Sequence, residues 1–258
     1  MKKFLISLAK DSQRRQLFFA QADSQDVEIF SAVNMLDQSL QDLTSVFEQE
    51  KFRQRYQREV SRGEIGCTLS HLAVYQKICQ DQQIDEQEFV LICEDDALWA
   101  DNFAQYLNQI EQQQIETDIL LLGQSKIASF NDKELEINYP TTLQCWRKPI
   151  MNSHYAYSYP YKNYFAGTVA YLIKKSACQR ILQLCEQQPP YWLADDYPFF
   201  AQQGHIDVML VRPLLCIENP QLASNLAPER QALDHHLLLK LAKYPLKKVM
   251  ALWRNWRV

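Results

Sequence analysis

The chain has 258 residues, 47% of them hydrophobic, and its 27 Lys and Arg against 31 Asp and Glu give a formal charge of −4. That length suits one large domain rather than two, and a slightly acidic balance gives no reason to expect a nucleic-acid partner. No run of eighteen apolar residues occurs, so no transmembrane helix is expected, and seven cysteines without a Cys-x-x-Cys pair fit a reducing cytoplasm better than a disulfide framework or a zinc site.

Met1-Lys2-Lys3 followed by Phe4-Leu5-Ile6-Ser7-Leu8-Ala9 mimics the start of a signal peptide. The apolar part is short and meets Lys10-Asp11 without a small-residue cleavage site, so it reads as the first strand. A polar helix follows from an Asp11 cap, with Arg14 and Arg15 on its first turn, beside the carboxyl end of that strand. An arginine there can meet a diphosphate or a uracil edge, or simply belong to a solvated helix face. Val27-Glu28-Ile29-Phe30 reads as a second strand. Residues 37–60 are charged and helix-like, with Phe52, Tyr56 and Val60 spaced as one apolar stripe. A long helix is expected from Glu64 to Gln80, with small residues at Gly66, Ser70 and Ala73 that permit close approach of a neighbour. Arg62 precedes it as a candidate anion contact, with Glu64 as its expected structural partner.

Val90-Leu91-Ile92-Cys93 is a buried-strand pattern that runs straight into Glu94-Asp95-Asp96. Three adjacent carboxylates repel one another, and the simplest compensation is a hard divalent cation held by oxygen ligands. Ligands of open α/β sheets collect just beyond the carboxyl ends of the strands, where this triplet falls. The alternative is an acidic turn that caps a following helix.

Further strands are expected at 118–123, 168–173, 208–211 and 214–217, and helices at 101–116, capped by Asp101, and at 175–187. The alternation predicts βαβ units and a largely parallel sheet. Six tyrosines, Tyr139, Tyr155, Tyr157, Tyr159, Tyr161 and Tyr164, crowd residues 124–165 and suggest either an aromatic surface for sugar rings or a loop packed on the sheet. Asp195 and Asp196 lie between Trp192 and Tyr197. A carboxylate among aromatics is a reasonable general base because partial burial raises its pKa; the same pair can equally cap a helix at 196–204. The segment from His235 to Val258 carries six Lys and Arg and no acidic residue. Pro245 is expected to split it into two helical pieces, the second with Leu246, Val249, Met250 and Trp253 on one face and Lys247, Lys248 and Arg254 away from it. Such a basic amphipathic helix either lies on an anionic membrane surface or packs on the domain or a second copy. His235 and His236 read as surface.

Gly63-Glu64-Ile65-Gly66-Cys67, Ser70-His71 and Glu94-Asp95-Asp96 together resemble the family 25 glycosyltransferases, bacterial enzymes of lipooligosaccharide and lipopolysaccharide assembly. Ile6-Ser7-Leu8 with Arg14-Arg15, and Gly167-Thr168-Val169-Ala170-Tyr171, extend the resemblance, which runs from residue 4 to about 225; Glu218-Asn219-Pro220-Gln221 and Ser224-Asn225 match it loosely, as a segment that would close over the donor. It implies an α/β, GT-A-like Rossmann-type fold, with a mostly parallel sheet flanked by helices, over residues 1–228, and a C-terminal helical tail over 229–258. It implies a UDP-sugar donor, galactose first and glucose next, and a cofactor of Mn²⁺ or Mg²⁺ on Asp96 first and Asp95 second. Leu8, Arg15, Asn34, Arg62, Ser70, His71, Glu94 and Asp95 would line the donor site. Asp195 or Asp196, inseparable from sequence, would deprotonate a hydroxyl of a lipid-linked or oligosaccharide acceptor, giving inversion and a β-linkage. A cytoplasmic enzyme resting on the inner face of the membrane is the expected setting. The alternatives are a nucleotidyltransferase, for which no glycine- and lysine-rich phosphate loop is visible, and a non-enzymatic glycan-binding protein at the membrane.

Overall fold

The computed structural model describes residues 1–37, 39, 42–125, 127, 129–132, 135–162, 167–222 and 237–256. Ser224, Asn225, His235, His236, Tyr164 and the expected boundary at 228/229 lie outside these residues.

The chain starts with β1 (Lys3–Ser7), α1 (Ser12–Phe19) and β2 (Glu28–Ser31), as the apolar pattern suggests, although Asp11 at the start of α1 makes no side-chain cap. Two helices follow, α2 (Gln49–Tyr56) and α3 (Arg62–Gln80). Phe52 and Val60 are buried together with Leu43, Phe47 and Ile65, and Tyr56 packs against them. The start of α3 is fixed by a capping box: the Glu64 amide donates to Ser61 Oγ and the Ser61 amide to the Glu64 carboxylate. The ionic partner of Glu64 is Arg58, at 2.7 Å, not Arg62, whose guanidinium donates to the Leu36 carbonyl.

Next come β3 (Phe89–Glu94), β4 (Ala97–Trp99), α4 (Phe103–Gln113), β5 (Ile119–Leu121) and β6 (Gly123–Gln124). The residues after the acidic triplet form a strand, so the triplet is not a helix cap. Asn102, not Asp101, stands at the start of α4. A short helix, α5 (Leu135–Asn138), then β7 (Lys148–Pro149), β8 (Ala156–Ser158), β9 (Ala170–Lys174), α6 (Lys175–Gln183), α7 (Tyr197–Gln203), β10 (Val208–Arg212), β11 (Cys216–Glu218) and α8 (Leu237–Trp256) complete the described chain.

Eight strands form one sheet in the order β2-β1-β3-β9-β5-β10-β8-β7, and β4-β11-β6 form a small second sheet. The α/β class and its flanking helices are as expected, but the large sheet is mixed rather than mostly parallel. β1 is parallel to β2 and β3, and β5 to β10. β9 is antiparallel to both β3 and β5, and β8 is antiparallel to β10 and β7. An apolar run buried on both faces carries no mark of direction. The long excursion between β6 and β9 returns the chain at the carboxyl ends of β1 and β3, so β9 runs back down the sheet.

Successive residues of each central strand enter opposite cores. On one face Leu5, Leu91 and Cys93 meet Phe18 of α1 and Phe103, Leu107 and Ile110 of α4. On the other Phe4, Ile6, Val90 and Ile92 meet Val74 and Ile78 of α3, Cys178 and Ile181 of α6, and Phe199 and Phe200 of α7. Each such aliphatic side chain, when fully buried, contributes roughly 1.5–3 kcal/mol. The tyrosines of the excursion belong mostly to the interior: Tyr155, Tyr157 and Tyr161 are buried, and Tyr159 donates to Asp207.

The segment Leu237–Trp256 is one helix with Pro245 inside it, not two pieces. Its cationic face docks on the domain. Lys247 donates to the Asn138 carbonyl, Lys248 to Glu136 and the Thr141 carbonyl, and Arg254 to the Pro160 carbonyl; Asn255 exchanges hydrogen bonds with the Tyr159 backbone. Ala251 is buried beneath. The apolar face turns outward, with Leu246 67%, Val249 61%, Trp253 57% and Trp256 78% exposed. Trp146, also exposed, lies 6.2 Å from the Trp256 ring. Among the described residues no helix is long and apolar enough to cross a membrane.

Candidate active site

A single cleft gathers the ends of β1, β2 and β3, the start of β9, the first turns of α3 and the chain before α7. Its floor is the acidic triplet. Glu94 closes β3, and Asp95 and Asp96 form the turn into β4. That turn is pinned from outside, because Glu218 of β11 pairs with Ala97 and the Asn219 amide donates to the Asp96 carbonyl at 2.6 Å.

Much of the triplet's charge is compensated by protein groups. Arg14 places Nε 2.5 Å from Asp95 Oδ1 and Nη2 2.8 Å from Asp96 Oδ2. Ser7 Oγ donates to Asp95 Oδ2 at 2.6 Å. Burial nevertheless raises the Asp95 pKa, against the pull of Ser7 and Arg14. Glu94 behaves oppositely. Burial works against its ionisation, but the hydrogen bond and charge of His71, then Thr168 and Arg14, hold its carboxyl below the usual range. His71 Nε2 lies 3.5 Å from Glu94 Oε1, and Thr168 Oγ1 donates to the same oxygen.

Asp96 is the residue left out of balance. Its carboxyl is pushed up to about 7 by burial, then by the charge of Glu94, against Arg14, with Glu218 and Asp95 adding to the rise. Asp96 Oδ1 is buried with no hydrogen-bond partner. A buried carboxylate oxygen without a donor costs free energy. An oxygen-only group of Asp95 and Asp96, with Glu94 and Glu218 nearby, suits a hard divalent cation such as Mg²⁺ or Mn²⁺.

The other expected residues divide between the cleft and its supports. Leu8, Asn34, Arg62, Ser70 and His71 line the cleft. Ser70 also holds its wall: the Val33 amide donates to Ser70 Oγ at 2.8 Å, and the hydroxyl donates to the Gly66 carbonyl. A Cβ at Gly66 would lie 2.9 Å from the Val33 carbonyl oxygen, so glycine lets the 32–34 loop rest on α3. Arg15 is not among the lining residues. It donates to Ser7 Oγ and to the carbonyls of Leu8 and Ala9, bracing the loop after β1. Arg14, one residue earlier and about 100° around the helix, is the arginine that faces the cleft. No tyrosine of the 139–161 group lines it.

Asp195 and Asp196, equivalent in sequence, are different in space. Asp195 lines the cleft and accepts from the Gly167 amide at 2.6 Å. Asp196 caps α7, accepting from the Phe199 amide, and is held by Arg55 at 2.6 Å and by the Tyr56 hydroxyl. Its role is to fix α2 against α7, and it is not a lining residue. Cys67, Thr168, Glu218 and Asp11 also line the cleft. Glu218 lies in the segment expected over the donor, Cys67 and Thr168 lie in the stretches that carry the resemblance without a role of their own, and Asp11 reads in the sequence only as a cap. Cys67 lies one helical turn before His71, and that spacing was the available signal.

The structure is an α/β protein whose carboxylate-floored cleft lies beyond its central strand ends, where ligands of such sheets collect. The chain belongs to glycosyltransferase family 25 (LPS biosynthesis protein), whose family model matches residues 1–198. It is 31% identical over 112 residues, 42% of this chain, to a "Glycosyltransferase 25 family member" of Aedes aegypti. It is 24% identical over 200 residues, 67% of this chain, to "Lipooligosaccharide biosynthesis protein lex-1" of Haemophilus influenzae. The matches span 18% and 57% of those relatives' own lengths. Among solved structures, an inositol-1-phosphate CTP transferase from T. maritima is 14% identical with a TM-score of 0.39, covering 89% of this chain and 94% of that one.

Proposed function

We propose that the chain is an inverting, metal-dependent hexosyltransferase. It would move galactose, or in second place glucose, from a UDP-sugar to a lipooligosaccharide or lipopolysaccharide glycan, forming a β-linkage. The family supports glycosyl transfer. The observation that carries the cation-dependent reading is Asp96 Oδ1, an unpartnered carboxylate oxygen buried at the cleft floor beside Glu94, Asp95 and Glu218.

Asp96 and Asp95 would hold Mn²⁺ or Mg²⁺, and such an ion supplies positive charge against the negative charge that develops on a departing UDP. Arg14 adds a fixed cation in the same corner, and its planar fork suits diphosphate oxygens. Asn34, with Val33 held by Ser70, forms the wall expected to meet the nucleoside. Asp195 takes the proton from the attacking acceptor hydroxyl. Its carboxylate is aimed by the Gly167 amide, so it is held in place before substrate arrives. Attack on the anomeric carbon from the face opposite UDP inverts that centre.

The acceptor would be a membrane-borne glycan met at the cytoplasmic face. The outward stripe of Leu246, Val249, Trp253 and Trp256 suits the boundary between headgroups and acyl chains. Lys247, Lys248 and Arg254 are engaged with the domain, so apolar burial rather than these charges would carry the attachment.

The test is a thermal shift with UDP and Mn²⁺, followed by a UDP-release screen of nucleotide sugars. UDP and Mn²⁺ together should raise the Tm well above either alone in the wild type and not in Asp96→Asn, and UDP-galactose should give the fastest release. Absence of any joint shift, or full turnover by Asp96→Asn, would overturn the reading.

A further inference from the structure

A second cluster on the cleft wall has ligands of a different kind. Cys67 and His71 stand at i and i+4 on α3, on one face of the helix. Glu94 meets them from the end of β3. Glu94 Oε1 lies 4.0 Å from Cys67 Sγ and 3.5 Å from His71 Nε2. The sulfur, the nitrogen and the oxygen all fall within 4.8 Å of one another.

We propose that Cys67, His71 and Glu94 form a binding site for a soft divalent transition metal of the zinc class, separate from the oxygen-only pair Asp95 and Asp96. Tetrahedral zinc with its usual bond lengths sets ligand separations of roughly 3.4 Å for nitrogen to oxygen and roughly 3.6 Å for sulfur to oxygen. The 3.5 and 4.0 Å to Glu94 Oε1 need only a few tenths of an ångström of closure, and the sulfur and nitrogen lie within 4.8 Å of each other. Three protein ligands with a fourth position open to a cleft is the arrangement of a reactive or exchangeable zinc rather than of a closed structural one.

The surroundings are those of a metal-binding imidazole. His71 Nδ1 is 2.7 Å from the Tyr171 hydroxyl, which is itself 2.7 Å from the Tyr75 hydroxyl. That chain orients the ring so that Nε2 is the nitrogen directed at the cluster, as outer partners of ligating histidines do. Thr168 Oγ1 donates to Glu94 Oε1, the same oxygen that faces the sulfur and the imidazole, and so fixes its position while a second lone pair remains for the ion. All three ligands line the cleft, so an ion has a way in. The thiolate separates this site from its neighbour by chemistry: sulfur and imidazole favour zinc or cobalt, while carboxylates alone favour magnesium or manganese. A zinc ion here would engage Glu94 beside the donor corner and inhibit by occupancy. The binding claim does not depend on sugar transfer and can be tested without any substrate.

The probe is Co²⁺ added to the full chain after chelation and under thiol-reducing conditions. One equivalent should give a thiolate-to-cobalt charge-transfer band in the near ultraviolet, displaced by Zn²⁺. Cys67→Ser should remove the band and weaken Zn²⁺ about 100-fold or more, and Tyr171→Phe should weaken it about 10-fold. Asp96→Asn and Cys145→Ser should keep the band. Melting curves of each variant confirm that it is folded. No stoichiometric band in the wild type, or an undiminished band in folded Cys67→Ser, overturns the proposal. Loss of the band in Asp96→Asn would overturn its separateness from the donor cation.

Discussion

The cleft floor and the C-terminal helix break the same rule in opposite directions. At the floor, carboxylates are buried: Asp96 is 8% exposed and one of its oxygens has no donor. On α8, apolar side chains are exposed while Lys247, Lys248 and Arg254 turn inward. Packing alone favours neither arrangement. Under the proposed function each is a surface that awaits matching chemistry, a cation and phosphate at one end and an apolar phase at the other.

The sharpest test of the cleft separates Asp195 from Asp196 by kind of loss. Asp195→Asn should lower kcat by about 10²- to 10⁴-fold, the span of a lost general base, while the joint thermal shift with UDP and Mn²⁺ stays. Asp196→Ala should do the reverse. Losing a part-buried charge-assisted hydrogen bond together with the cap of α7 costs about 2–4 kcal/mol, read as a fall in urea midpoint, with the activity of the remaining folded enzyme largely kept. If both variants lose only stability, the base lies elsewhere.

The tail comes next in size. Trp253→Ser with Trp256→Ser should weaken binding to lipid vesicles by about 10-fold or more, given the apolar area involved. Raising the salt from low to physiological concentration should change that binding little, because Lys247, Lys248 and Arg254, the cations nearest the stripe, are bonded to the protein. A steep salt dependence would instead point to charge as the attachment, and a variant that changes self-association but not vesicle binding would identify the stripe as a contact between copies.

The smallest effect concerns Asp96 itself. Its folded pKa is raised to about 7, so the folded chain keeps a proton that the unfolded chain has already lost. Stability therefore falls as pH rises through the interval from the ordinary carboxylate range to about 7. In cation-free protein at pH 8, Asp96→Asn should melt higher than wild type by about 2–5 °C. Near pH 5 the difference should shrink, and added Mn²⁺ should reverse it by stabilising the wild type alone. Equal melting at both pH values would mean that Arg14 already balances the site.

Much of this contrast was legible in the residues. The run Val90–Cys93 into Glu94-Asp95-Asp96 located both the central strand and the cleft floor, because a fully apolar run has one common use and a trailing acidic triplet has few. The amphipathic pattern of 246–253 gave the two faces of α8 correctly. It could not tell that the charged face would be the inner one, since carbonyl acceptors on a distant loop leave no trace in local sequence. The direction of β9 was invisible for a similar reason: strand patterns encode faces, not polarity. Arg14 and Arg15, and Asp195 and Asp196, needed the backbone, because neighbours in sequence point apart by an angle that only the helix start or the turn fixes. Cys67 is visible in the sequence as part of the Gly63–Cys67 run, but its closeness to Glu94 is not, because only the fold brings the end of β3 against that turn of α3.

Gly167 has φ +89°, and a Cβ there would fall 1.6 Å from Ser125 Oγ. Its amide is also the group that aims Asp195. The aim of the proposed base is therefore written into a residue with no functional group at all. Swapping that hydrogen for a methyl should misdirect the carboxylate without removing it, so the price of losing alignment could be measured apart from the price of losing the proton acceptor.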